Sequence, residues 1–462
     1  MSSNDIRPPK PASRPECVSL WRYMKLFRAD ILSAQPAKLY GAWMAEFRTL
    51  FFRSYLVNDP QVIERVLKTE HDSFPKSNRI SEGLRPLLGD SVFLTNGEAW
   101  KRQRRIIDPA FEGGRLREVF PSMKAASAAT VARLAPLADG TAHDIEPLTS
   151  HAAADVIFRT LFSLPIDTPI AQSVFSQFRD YQRSQPLLNL AAFIRLPKWM
   201  PRVFRRQTSE TAKTIRALIA ELTETRLEEI SQGRAPDDLA TKIMTTPDPE
   251  TGEIFSADEM VDQVAIFFLA GHETSASALA WTLYLLAMYP EWQDKIAEEV
   301  PDSDLEFSDL SKLRVTRDVF REGLRLYPPV PMMVREAAEN VEFRRRDVKR
   351  GAQIVLSPWH LHRHTRLWDD PDQFDPTRFQ NPEAKQTVRQ AYMPFSSGPR
   401  VCTGAGFAML EGVLMLADLV RAYRFELVQD RVPVPVAHLT VRAKDGIWLR
   451  ISPRKDQSVP AD

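Results

Sequence analysis

A lone thiol framed by glycines and an arginine is the feature that most restricts what this chain can become. It lies in Phe395-Ser396-Ser397-Gly398-Pro399-Arg400-Val401-Cys402-Thr403-Gly404, just ahead of the apolar helical stretch Phe407–Leu419. A cysteine at a helix N-terminus meets the positive end of the helix dipole and free backbone N–H groups, and both favour its thiolate. A thiolate so placed can act as an axial ligand to haem iron. Gly398 and Gly404 suit the tight turns and close backbone approach that a flat macrocycle requires. Arg400 can neutralise a carboxylate of such a group, and Phe395 can shield the sulfur. The plainer alternative, a buried structural cysteine, leaves the rest of the decapeptide unexplained.

The string resembles the haem-binding signature of the cytochrome P450 family, Phe-x-x-Gly-x-Arg-x-Cys-x-Gly, at every position, and four further segments extend the likeness. Ala270-Gly271-His272-Glu273-Thr274 sits at the centre of the longest helical pattern, Asp258–Met288, which would run on the order of 45 Å at 1.5 Å per residue. A glycine beside a threonine weakens a helix ladder, opening room on one side. By resemblance Thr274 would organise oxygen and water, and Glu273 would relay protons. Glu322 and Arg325 share a helix face, and Asp375-Pro376-Thr377-Arg378-Phe379 follows about fifty residues on. The likeness makes Glu322, Arg325 and Arg378 a buried structural triad, and loss of one member of such a set costs ~3–5 kcal/mol. Trp100 and Arg104, also on one helical face, match a Trp-x-x-x-Arg pair that donates to a haem propionate. Arg335, eight residues past Tyr327, stands where many relatives carry another propionate-binding arginine. Lys101, Arg102 and Arg105 would be either a solvated face or a docking patch for an acidic redox partner.

The bulk properties fit one large domain. The chain has 462 residues, 44% of them hydrophobic, enough for a sizeable core. Sixty-one basic residues against sixty acidic ones leave a net charge of +1, which argues against nucleic acid as the main partner. Cys17 and Cys402 are the only cysteines, so no disulfide framework is expected. No segment has the length and apolarity of a membrane span.

The expected organisation is a flexible lead over 1–15, a catalytic domain over 16–455 and a flexible tail over 456–462. The fold class is mainly α with a small β region. A strand is expected at Arg48–Asn58, followed by a helix at Pro60–Thr69, and Ser77–Asn96 reads as loop. Further helices fall at Glu118–Leu134, Ser150–Ser163, Ala212–Gln232 and Ser311–Tyr327, with two more joined by a mobile connection inside Asp167–Arg206. Short strands are expected at Val341–Phe343, Gln353–Leu356 and Gly446–Ile451.

The resemblance implies a haem-thiolate monooxygenase that holds haem b through Cys402 and inserts one atom of O2 into a lipophilic substrate. Electrons would come from NAD(P)H through a separate reductase and a ferredoxin, or a flavodoxin, in a soluble, cytoplasmic, bacterial setting. The pocket would draw on Ile80–Leu94, Asp167–Arg206, Phe267, Phe268, Ala270, Gly271 and Pro331–Val334, which includes Met332, Met333 and Val334. A fatty acid, terpenoid or aromatic compound suits those residues, with a fatty acid as the first guess. Arg53 and Tyr55, two apart on the expected strand, could anchor a carboxylate or simply face solvent. Alternatives are a peroxide-using or rearranging haem-thiolate enzyme and a haem-thiolate sensor. A non-haem metal site on His360, His362 and His364 is a further one, since alternate residues on a strand point the same way, but the surrounding Trp359–Phe379 resembles an ordinary structural stretch of the family, in which a histidine at the position of His362 is common.

Overall fold

In the computed structural model, residues 7–48, 53–184, 206–437 and 439–454 are described. The organising element is the helix Ala257–Met288. Its start is fixed by a capping box: Ser256 Oγ accepts from the Glu259 N–H, and Glu259 accepts from the Ser256 N–H. Most of its surface is buried, as expected of a helix that is apolar on nearly every side. Helices Glu146–Phe162, Arg206–Ser231, Arg314–Leu326 and Ala405–Ala422 pack around it.

The β region is peripheral. One sheet runs in the order Met44–Arg48, Arg53–Val57, Gln353–Leu356, Met333–Glu336, with antiparallel, parallel and antiparallel pairings. A second joins Ala142–Asp144, Trp448–Pro453 and Tyr423–Leu427. Two hairpins complete it, Val341–Phe343 with Arg346–Val348 and Pro435–Ala437 with Val441–Ala443. The first sheet has its own apolar cluster, beside the much larger one among the helices.

Three segments differ from expectation. Ser77–Asn96 is not all loop: Asn78–Leu88 is helical despite Gly83 and Pro86. Glycine and proline together cost about 4 kcal/mol in a helix interior, whereas burying Leu87 and Leu88 completely returns about 1.5–3 kcal/mol each. Arg48–Asn58 contributes to two strands rather than one. Residues 7–15 lie along the body: Arg7 pairs with Asp370 at 2.7 Å, the Tyr327 hydroxyl donates to the Pro9 carbonyl at 2.7 Å, and the Arg14 N–H donates to the Gln35 carbonyl at 3.1 Å. In the Asp167–Arg206 segment, Pro169–Ser184 is helical. The expected connection beyond it and the tail 456–462 lie outside the described residues.

Candidate active site

A cavity of about 660 Å³ lies between the central helix and the helix Ala405–Ala422. Cys402 is on its wall, open to the cavity and buried in every other direction. The loop is held by the Cys402 N–H donating to the Phe395 carbonyl at 2.9 Å. Gly398 takes φ +73°, and a Cβ there would collide with the Leu67 backbone carbonyl, so only glycine fits. Gly404 also lines the cavity, and a Cβ there would meet open space. Burial pushes the thiol up from its ordinary value, opposed by the Gly404 N–H, Arg104 and Lys76. The dipole argument from sequence is therefore outweighed, and a bound metal cation would be what draws the proton off.

Cations gather at one end of the cavity. Arg400 stacks on the Trp100 ring at 4.0 Å and donates to the Thr95 carbonyl at 3.2 Å and Asn96 Oδ1 at 2.9 Å. Arg104 pairs with Asp108 at 2.8 Å and donates to the Val401 carbonyl at 2.7 Å. Among the described residues, the hydrogen bond of the buried Arg335 guanidinium goes to the Val334 carbonyl, at 3.3 Å. Burial holds both Arg335 and Arg400 down to about 10. Lys76, whose backbone bridges to Arg335, joins them, with its ammonium donating to the Phe93 carbonyl at 2.6 Å. Burial first, then Arg335, Arg400 and Arg104, push Lys76 well below the usual lysine range. No sequence motif marks Lys76. A flat, apolar group bearing two carboxylates fits this arrangement: a thiol on one wall, apolar sides and under-neutralised cations at one end.

On the central helix, the Thr274 hydroxyl donates to the Ala270 carbonyl at 2.6 Å. Glu273 is buried and gripped twice by the C-terminal hairpin, through an ion pair with Arg442 and a hydrogen bond from the Thr440 hydroxyl at 3.3 Å. Burial raises its pKa, and Arg442 opposes the rise. Gly271 does not open the helix, which is continuous here; a Cβ at this position would collide with Ile157 of the neighbouring helix. One acid escaped the sequence reading. Glu411 lines the cavity, buried, with the Ser275 hydroxyl donating to it at 2.6 Å, and burial pushes it up to about 8.

The triad assembles away from the cavity. Glu322 and Arg325 are fully buried, and Arg325 donates to both carboxylate oxygens, at 2.7 and 2.8 Å. Its other N–H groups reach the carbonyls of His362, Pro371 and Gln373. Arg378 completes the set at 3.2 Å from Glu322. His360, His362 and His364 do not converge. Their segment starts a short helix, Pro358–Leu361, not a strand. His360 meets Ser357 Oγ at 2.8 Å; His362 accepts from the Met393 N–H at 2.9 Å; His364 stacks on Trp43.

A model of the family described as "Cytochrome P450" matches residues 34–450. The chain belongs to the cytochrome P450 family. A relative from Drosophila melanogaster, "Probable cytochrome P450 4s3", is 32% identical, covering 90% of this chain and 87% of the relative. "11-oxo-beta-amyrin 30-oxidase" from Glycyrrhiza uralensis is 29% identical over 85% and 77%. The crystal structure of the cytochrome P450DA heme domain superposes with a TM-score of 0.78 at 22% identity, covering 97% and 98% of the two chains. This cytochrome P450 is thus a haem-thiolate monooxygenase of a family that uses haem b and O2, draws on redox partners and takes lipophilic substrates. The fly and plant relatives give no support to a bacterial origin. Among the described residues no helix is long and apolar enough to cross a membrane.

Of the expected pocket residues, Phe267, Ala270, Gly271, Met332, Met333 and Val334 line the cavity. Phe268 does not: it turns into the helical core against Phe158, with ring centroids 4.4 Å apart. Tyr23, Phe27 and Phe47 form a wall that the sequence reading missed. Arg53 and Tyr55 are engaged elsewhere, Arg53 with Glu46 at 3.9 Å and the Tyr55 hydroxyl with the Asp347 carbonyl at 3.4 Å.

Proposed function

We propose that Cys402 would hold the iron of haem b and that the enzyme oxygenates a neutral, terpenoid-like substrate. The observation that carries the ligand assignment is a thiol facing an apolar cavity whose one end holds cations without enough acids. Arg335, Arg400, Arg104 and Trp100 would hold the two propionates, with Lys76 beside them. When bound, the haem supplies oxygen activation, aided by electron donation from the thiolate. Thr274 would turn its hydroxyl from Ala270 towards the cavity and hold a proton there, while Glu273 exchanges protons with it. The apolar side chains exclude water and orient the substrate.

Two observations favour a neutral substrate over a fatty acid. The cations of the cavity are gathered at the propionate end, and Arg53 and Tyr55 form no carboxylate anchor. The plant relative's name, an oxidase of 11-oxo-beta-amyrin, points the same way. A ferredoxin with its NAD(P)H-dependent reductase is the proposed electron source, with a flavodoxin second. Lys101, Arg102 and Arg105 make a poor docking patch, since each is already paired within the chain, to Glu98, Glu259 and Asp248 respectively.

The test is an optical spectrum of the loaded protein, reduced under carbon monoxide, followed by substrate titration. A red-shifted Soret band supports Cys402 as ligand, and its loss in Cys402→Ser with haem retained completes the case. Spin-state shifts with terpenoids but not fatty acids support the substrate class. An unshifted band in fully loaded protein overturns the ligand assignment, and a preference for fatty acids overturns the substrate class.

A further inference from the structure

The cavity reaches well beyond the Cys402 loop. In the first sheet Phe47, Ser54 and Gln353 are cross-strand partners, as are Leu56, Val355 and Val334. Their side chains therefore share one face of the sheet, and that face lines the cavity. Arg335, one of the cations at the propionate end, follows Val334 on one edge strand, whereas Phe47 lies on the opposite edge strand. Three inter-strand steps separate those edges, about 14 Å in all. The helix Leu20–Ala29 covers the Phe47 edge. Tyr23 stacks on Phe47 with ring centroids 6.4 Å apart, Phe27 lies 5.7 Å from Tyr23, and all three line the cavity.

Gln35 interrupts this apolar wall. It lines the cavity and is 4% exposed. Its Nε2 donates to the Ile31 carbonyl at 3.3 Å. A carbonyl only accepts, so this bond settles which way the amide is turned and leaves Oε1 as the spare atom. Among the described residues nothing donates to that buried oxygen. The amide also faces the Tyr23 hydroxyl, which burial holds above its ordinary pKa, so the phenol keeps a proton to give. Arg14 stands 5.5 Å from the Tyr23 ring centroid, but it does not line the cavity. It donates instead to the Ala34 and Pro15 carbonyls at 2.7 Å and the Glu16 carbonyl at 2.8 Å. The far end of the cavity thus presents no charge and holds an acceptor without a donor.

We propose that Gln35, with Tyr23, recognises a hydroxyl at the end of the substrate remote from the carbon that is oxygenated. The hydroxyl donates to Gln35 Oε1 and accepts from the Tyr23 hydroxyl, which satisfies a buried oxygen that is otherwise costly to leave bare. A carboxylate or an ether brings only acceptors and leaves that oxygen as it was. The substrate class narrows to a neutral lipophile of about 14 Å or more with an alcohol at one end. Anchored there, the molecule presents its other end to the Cys402 side of the cavity. This subsite rests on the neutral-substrate reading above, and the experiment separates the two.

The test is equilibrium dialysis of the haem-loaded full chain against matched pairs on two skeletons. These are geranylgeraniol and its methyl ether, and 1-hexadecanol and its methyl ether, with palmitate alongside. Each alcohol is expected to bind about tenfold more tightly than its ether, the usual worth of one buried neutral hydrogen bond. In Gln35→Met that ratio falls to about one while the ethers bind as before, a change that a merely structural role would not produce. In Tyr23→Phe the ratio falls about threefold, because the acceptor remains. Wild-type oxidation of geranylgeraniol falls in the half remote from its hydroxyl, and Gln35→Met scatters it. Unchanged melting temperatures verify that both variants fold. Equal binding of alcohol and ether in the wild type, or a preference that survives Gln35→Met, overturns the proposal. If palmitate outbinds both alcohols while each alcohol still outbinds its ether, only the neutral-substrate reading falls. If neither alcohol binds, both fall.

Discussion

Two clusters of buried arginines behave in opposite ways. Around Glu322, every N–H of Arg325 has an acceptor, and the carboxylate pairs with both Arg325 and Arg378 inside the chain. Around the cavity, Arg335 and Arg400 have carbonyl, amide or aromatic neighbours, and among the described residues neither has a carboxylate within ion-pair distance. A satisfied cluster of this kind fixes the fold. An unsatisfied one is tolerated only if something else supplies the missing charge, because an uncompensated buried ion is costly. The contrast separates a structural arginine from a ligand-binding one without reference to any relative.

The largest expected effect is at the satisfied cluster. Arg325→Met leaves Glu322 buried with only Arg378 as its charged partner and removes five donors, so about 3–5 kcal/mol of stability is lost. Soluble yield and the urea midpoint should both collapse, whether or not haem is supplied. Glu411 extends the contrast to an acid, since a carboxyl without a cation can stay neutral where an arginine cannot. Its value in the fold, about 8, lies above that of the unfolded chain. The fold therefore keeps a proton that the unfolded chain gives up, and stability falls as pH climbs from the ordinary carboxylate range towards 8. Glu411→Gln should flatten that fall, by on the order of 3 kcal/mol at its upper end, read from urea midpoints against pH.

At the unsatisfied cluster the sign reverses with loading. Arg335→Met should raise the stability of the unloaded protein by about 1–3 kcal/mol, because an unpaired buried cation is removed. In the loaded protein the same change should speed haem transfer to a scavenger protein. If it destabilises both forms alike, Arg335 belongs with the structural cluster and the contrast fails. Lys76→Met should act in the same direction but more weakly, below about 1 kcal/mol, since the lowered pKa of a buried lysine lets its charge be given up at less cost than that of an arginine. Thermal melts of loaded and unloaded protein measure both.

Segments whose geometry is local were legible in the sequence. The Cys402 loop, the Trp100–Arg104 face and the Glu322–Arg325 pair depend on spacings within one element. Lys76 was not legible, because its partners Arg335 and Arg400 come from distant segments and meet it only in the folded chain. The cavity wall of Tyr23 and Phe27 had a visible i,i+4 spacing, but nothing local says what a helix face will meet. The strand reading behind the histidine alternative fails because the segment opens as a helix. Ser357 capping a helix with Pro358 at its first position was the overlooked signal. Gly271 misled through its own chemistry, since a glycine that weakens a helix and one that admits a neighbour look identical in sequence.

The C-terminal hairpin contributes Leu439 and Thr440 to the cavity while Thr440 and Arg442 hold Glu273. One small part therefore serves as both wall and latch. Reshaping the wall at those positions to admit a new molecule also resets the latch on the acid. With Glu273 in the role proposed for it, choice of guest and control of the proton cannot be tuned as separate dials.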